Sequence, residues 1–292
     1  MHKAIFPKAK PYQRLLALLG MFVGMLLVAS GITVVVPLSG GDIMETRTLL
    51  WIQCLSQLLT FLVPVALFVL FYENDGRTYL KCDFGGCSWL QALAAMAITL
   101  LLVPAIDLVT QWNEGWHFAE PLESTLREIS DRSQRLIESF MADTSVTGLI
   151  LNIIIIAIVP AVCEELFFRG VVQQTLRKWF KNTHVAILVT AIVFSLAHGE
   201  VYAFVPRVVM GLVLGYLFHY GRSMVVNVCV HFLNNATIVV MYFLFNRGII
   251  GFAPDDIPSF GWWWTVLFVI AAASLFSVTF LRKSGPAADA KN

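Results

Sequence analysis

Ile153-Ile154-Ile155-Ile156-Ala157-Ile158-Val159-Pro160-Ala161-Val162-Cys163-Glu164-Glu165-Leu166-Phe167-Phe168-Arg169-Gly170 is the stretch that decides the fold. It lies within an apolar run from 146 to 178, longer than the roughly 20 residues needed to cross a hydrocarbon layer of about 30 Å. Its centre nevertheless carries two carboxylates and a guanidinium. A charge at bilayer depth costs about 2.5–3.5 kcal/mol on insertion scales, so these groups are poor choices for simple packing. A membrane helix with chemistry at its middle is the reading that fits both facts.

The rest of the chain agrees. Of its 292 residues, 58% are hydrophobic and only 13% are charged, against about 25% charged in a soluble domain. Eight apolar spans are expected, at 14–38, 49–72, 89–110, 146–178, 184–200, 203–220, 223–245 and 261–281. The fold class is therefore all-α, a polytopic membrane helical bundle of about eight transmembrane helices. It divides into N-terminal helices with an amphipathic segment (1–145), a core segment that carries the intramembrane charges (146–245), and a last span with its tail (246–292), all within one membrane domain. A net charge of +1 gives no reason to expect nucleic acid. The first span is too long for a signal-peptide core and has no A-x-A site, so it reads as a helix that stays.

Orientation follows from the basic residues. With the N-terminus inside, the cytoplasmic segments and their flanks hold thirteen of the twenty Lys and Arg residues, and the outer loops hold six. Arg169 is left within the membrane. An integral protein of a bacterial plasma membrane is expected, with both termini cytoplasmic. Between Gln111 and Ser145, the residues Leu122, Leu126, Ile129, Leu136, Ile137 and Phe140 recur at helical spacing among charges, which predicts an amphipathic helix at the outer interface. Trp262, Trp263 and Trp264 open the last span where indole rings anchor. Cys54, Cys163 and Cys229 lie in apolar runs as small hydrophobes, and Cys82 and Cys87 flank a loop with no companion ligand pair.

Spacing separates the roles of the buried charges. Glu165 and Arg169 are four apart in the favourable order for an ion pair on one helix face. Glu164 points about 100° away from that pair and is left free to act as a general base. The fifth span ends in Phe194-Ser195-Leu196-Ala197-His198-Gly199, and the seventh carries Asn227, His231 and Asn235 as one stripe. At about 1.5 Å per residue, Glu164, His198 and Asn235 each fall about 20 Å from the cytoplasmic end of their spans, and His231 about 13 Å. Three helices can therefore bring these groups to overlapping levels.

These residues resemble the CPBP family of CAAX proteases and bacteriocin-processing enzymes, also called Abi or type II CAAX prenyl endopeptidases. Its EExxxR, FxxxH and HxxxN motifs are matched by Glu164 to Arg169, Phe194 to His198, and His231 to Asn235, in that order. The stretch from Gly211 to Ser223 also resembles the family. The resemblance implies an intramembrane endopeptidase acting on a membrane-associated protein or peptide within the lipid bilayer. It implies that Glu164 activates water, that His198 positions it, and that His231 and Asn235 stabilise the oxyanion. Glu165 and Arg169 would brace the site. The family is commonly labelled metalloprotease, and Glu164, His198 and His231 could supply a two-His, one-carboxylate set for zinc. A glutamate-activated water needs no metal, so both readings stand at this point.

Two other classes compete. Intramembrane Glu, His and Arg also mark proton-coupled transporters, but no inverted repeat or paired broken helices are visible. A non-catalytic peptide-binding or immunity protein could use the same cavity, and would keep its effect without Glu164.

Overall fold

The computed structural model describes residues 3–38, 45–83, 88–254 and 261–281. Ten helices follow one another: α1 (Pro11–Leu38), α2 (Thr46–Tyr72), α3 (Gly76–Tyr79), α4 (Trp89–Glu114), α5 (Leu122–Met141), α6 (Val146–Phe180), α7 (Thr183–Leu196), α8 (Val201–Gly221), α9 (Met224–Asn246) and α10 (Trp262–Leu281). Among the described residues there is no strand. Seven helices (α1, α2, α4, α6, α8, α9 and α10) are long and apolar enough to cross a membrane. The protein is a polytopic helical membrane bundle.

The fifth of the eight expected spans, 184–200, is shorter than its apolar run. Helix α7 has only 14 residues and ends at Leu196, and Gly199 then adopts φ +69°. Packing explains why so short a helix suffices. Ala186, Ile187, Thr190, Ala191, Phe194 and Ser195 are buried against neighbouring helices, so α7 is partly shielded from lipid by protein. Cys87 lies outside the described residues, and Cys82 donates weakly from Sγ to the Leu80 carbonyl (3.9 Å).

Local sequence sets the breaks. In α2 and α6, π turns (Leu58–Leu62 and Ile153–Ile158) run up to Pro64 and Pro160 at the first positions of the α-helical segments that follow. Proline lacks an N–H and its ring crowds the carbonyl one turn earlier, so a widened turn relieves the clash while the chain stays helical. A third π stretch, Glu165–Gln173, begins at the second glutamate of the decisive motif. Turns between helices are capped in the ordinary way. Asn182 and Ser223 accept from Val185 and Val226 at the starts of α7 and α9, each after a left-handed residue (Lys181 and Arg222, both φ 53°).

Three apolar clusters hold the bundle. One joins α2, α6 and α7 through Phe68, Phe168, Val171 and Phe194. A second joins α4, α8, α9 and α10 through Ile98, Leu214, Val230 and Phe280. The third ties α2, α5, α6 and α9 through Leu50, Phe140, Ile155 and Val239. Large apolar side chains point outward elsewhere, including Leu16, Leu27, Leu100, Leu267 and the three tryptophans from Trp262. In water this outer surface would aggregate, and in lipid it is ordinary.

Helix α8 approaches its neighbours through glycine. A Cβ at Gly211 would lie 2.9 Å from the Cβ of Ala191, and one at Gly215 would lie 2.7 Å from the Ile187 side chain. This small-xxx-small spacing allows α7 and α8 to pack backbone to backbone. The same residues' carbonyls accept from α6: Arg169 Nη2 donates to Gly211 (3.3 Å) and Gln173 Nε2 to Gly215 (3.0 Å). The register of α6 against α8 is thus fixed by two polar contacts four residues apart.

The amphipathic helix expected between Gln111 and Ser145 is α5. It is clipped across one end of the bundle, where Ser130 donates to Glu200 (3.2 Å) and Gln134 to the Tyr242 hydroxyl (3.1 Å). Its first turn is anchored by Glu123, which accepts from the Phe118 N–H (2.8 Å), Arg127 Nε (2.9 Å) and the Tyr202 hydroxyl (3.0 Å). The Phe118 N–H and then Arg127 hold this carboxyl down at about 2, against an ordinary 4.5. Because the folded value is depressed, the anchor contributes fully above about pH 4.5 and fades as pH falls towards 2. Amide exchange around 118–130 is therefore expected to accelerate only below pH 4.5 and to lose that acid step in Glu123→Gln. An unchanged step in the variant would assign it to another group.

Candidate active site

Glu164 and Glu165 leave α6 in different directions, at the junction where the helix passes from α to π. Both are buried. Glu165 faces α9 and is saturated with donors. Its Oε1 accepts from Arg169 Nη1 (2.7 Å) and His231 Nδ1 (2.9 Å), and its Oε2 accepts from Asn227 Nδ2 (3.1 Å). Arg169 is wholly buried, and its guanidinium carbon lies 4.7 Å from the ring centre of Phe194. Glu165 and Arg169 are thus a buried ion pair in which Arg169 Nε alone has no partner among the described residues, and Asn227 also donates to the Leu214 carbonyl (2.7 Å), tying α9 to α8.

Glu164 has a different setting. No cation is bonded to it among the described residues. Its Oε1 accepts from Gln57 Nε2 of α2 (3.3 Å), while its Oε2 faces His198 Nε2 at 3.9 Å and His231 Nε2 at 3.8 Å. The spacing puts Glu164 and His198 at about 20 Å and His231 at about 13 Å from the cytoplasmic ends of their spans, and the folded chain brings all three side chains together.

The partners of the other ring nitrogens fix the histidine tautomers. His231 Nδ1 meets a carboxylate and His198 Nδ1 meets the Phe194 carbonyl (2.8 Å). Both are acceptors, so each Nδ1 carries the hydrogen. In the neutral rings each Nε2 is then a lone pair aimed towards Glu164. His231 Nε2 can donate to an oxyanion only in its doubly protonated form. The side chain of His198 is 30% exposed, whereas His231 and Glu164 are almost enclosed, so access to the site is on the His198 side.

Asn235 stands one turn beyond His231 on α9, half-buried, and its Oδ1 accepts from Asn234 Nδ2 (3.2 Å). It makes no described contact with Glu164. Of the two-His, one-carboxylate set, Glu164 Oε2 faces the two Nε2 atoms at 3.9 and 3.8 Å, and among the described residues no three His, Cys, Asp or Glu side chains are grouped closely enough to hold a metal ion. Gln57 and Gln173 went unnoticed in the sequence. Each is a carboxamide inside a long apolar run, and that is the signal that would have found them.

Neither of two cavities in the bundle is lined by the site's carboxylates. One, about 400 Å³ and nearly all apolar, runs between α1, α6 and α7 past Phe22, Phe167 and Val193 to Ala197, the neighbour of His198. The other, about 260 Å³, is at the end covered by α5 and is lined by Arg47, Asp143 and Asn152 among others.

Fold and site together define a polytopic helical membrane protein with a buried carboxylate facing two imidazoles. Residues 146–237 match the family model described as Type II CAAX prenyl endopeptidase Rce1-like. The matched segment holds both glutamates and both histidines and is about a third of the chain. No curated protein and no solved structure matches the chain.

Proposed function

We propose that the protein is an intramembrane endopeptidase in which Glu164 activates water to cleave a membrane-associated protein or peptide. The observation that carries this reading is the placement of one carboxylate oxygen, Glu164 Oε2, opposite His198 Nε2 and His231 Nε2 at 3.9 and 3.8 Å. These separations exceed a direct hydrogen bond of about 2.7–3.2 Å and suit a water held among the three groups.

In this mechanism Glu164 Oε2 takes one proton from the water as its oxygen attacks the scissile carbonyl carbon. His198 Nε2 accepts the second O–H and orients the attack. The carbonyl oxygen becomes the oxyanion, for which the Asn235 amide and, when doubly protonated, His231 are the donors. Glu164 then returns its proton to the leaving nitrogen as the C–N bond breaks. Glu165 holds the His231 ring through Nδ1, and Arg169 and Asn227 hold Glu165. The apolar cavity ending at Ala197 gives a hydrocarbon-lined approach beside the exposed face of His198. Both termini are proposed to be cytoplasmic, with α5 on the outer side.

The test is cleavage of a library of membrane-spanning peptides with free polar tails by the purified protein, with products mapped by mass spectrometry. Internal cuts that depend on Glu164 support the reading. Products that trim one residue at a time from a terminus, or that survive Glu164→Gln, would reject it.

A further inference from the structure

We infer that Gln57 is a positioning residue of the active site, contributed by α2 and lying outside the Rce1-like segment. This rests on the endopeptidase reading. Gln57 Nε2 donates to Glu164 Oε1 at 3.3 Å. An ionised carboxylate can only accept, so the amide nitrogen, not its oxygen, must face it. That single bond occupies one carboxylate oxygen and leaves the other, Oε2, turned to the two imidazoles.

Three further observations separate this from ordinary helix packing. Gln57 is the last residue before the π turn Leu58–Leu62, so the backbone widens where its side chain leaves α2. Its own Oε1 is buried and has no partner among the described residues, an expensive arrangement for a residue whose only task is cohesion. In the same helix the flanking cluster is apolar, with Leu50, Val65 and Phe68 buried. An amide here meets no structural demand that Met or Leu would not meet better.

The experiment uses the full chain in proteoliposomes with the peptide that wild type cleaves best, and two variants of nearly the same shape. Gln57→Met removes the donor. It is expected to lower kcat about 10- to 100-fold, the worth of one hydrogen bond to a charged group, while KM stays within about threefold because no substrate contact is removed. Gln57→Glu places a second carboxylate against the first, so that the two share a proton and the base is quenched at neutral pH. A matching loss is expected there even if the Met variant folds poorly.

The independent readout is infrared: the carboxylate band of Glu164, recognised as the band that Glu164→Gln removes, should shift in Gln57→Met. Full activity in either folded variant, or an unmoved band, overturns the inference. Should wild type cleave nothing, the endopeptidase reading falls and the catalytic role with it. The infrared shift then still reports whether the Gln57–Glu164 pair exists.

Discussion

Glu164→Gln is expected to abolish measurable cleavage while leaving the fold intact. The substitution keeps the volume and still offers an oxygen to Gln57, but an amide cannot take a proton from water. A positioned general base contributes about 10²–10⁴-fold, so a fall of about that size in kcat is the expected result, with KM little changed. The buried setting predicts the stability effect as well. Glu164 makes one described hydrogen bond, to Gln57, and has no ion pair with Lys or Arg, so replacing it with a neutral isostere relieves a buried charge and should leave Tm the same or raise it. A protein that loses activity only because it unfolds would show the opposite. Matched thermal unfolding and single-turnover assays on the two proteins therefore separate chemistry from folding.

The second large effect is on stability. Arg169→Leu removes the cation from a carboxylate that is fully buried, leaving Glu165 with only His231 and Asn227. Breaking one side of a buried pair typically costs about 3–5 kcal/mol, and here the contact to the Gly211 carbonyl goes too. The double variant Glu165→Gln/Arg169→Leu should recover part of that loss, because no lone charge remains. Unfolding equilibria in bicelles would measure both. A single variant within 1 kcal/mol of wild type, or a double variant no better than the single, would mean that the pair does not organise this part of the bundle.

How much of this was legible beforehand differs by element. The helices announced themselves because lipid leaves the backbone few options and demands long apolar runs. The motif pairs at spacing four were legible for a related reason, since Glu165–Arg169 and His231–Asn235 are local geometry. The limits of α7 were not, because burial by neighbouring helices decides where so short a helix may stop. Nor was Gln57, whose meaning depends on α2 packing beside α6, a contact between residues 107 positions apart. The histidine tautomers were equally hidden. They are set by a carbonyl and a second carboxylate that become visible only once the helices are assembled.

Helix α6 is 35 residues long, which at about 1.5 Å per residue is about 50 Å, far more than the hydrocarbon depth of an ordinary bilayer. Hydrophobic mismatch of this kind is relieved by tilt, by local thickening of the lipid, or by letting the ends protrude. Both glutamates ride on this helix, so the surrounding lipid becomes a control on their depth. Turnover should vary when the protein is reconstituted in lipids of increasing acyl length at equal fluidity, with a best thickness flanked by slower ones. A flat response would show that the other spans hold α6 at a fixed inclination. The membrane would then be the protein's solvent and not, in effect, one of its regulators.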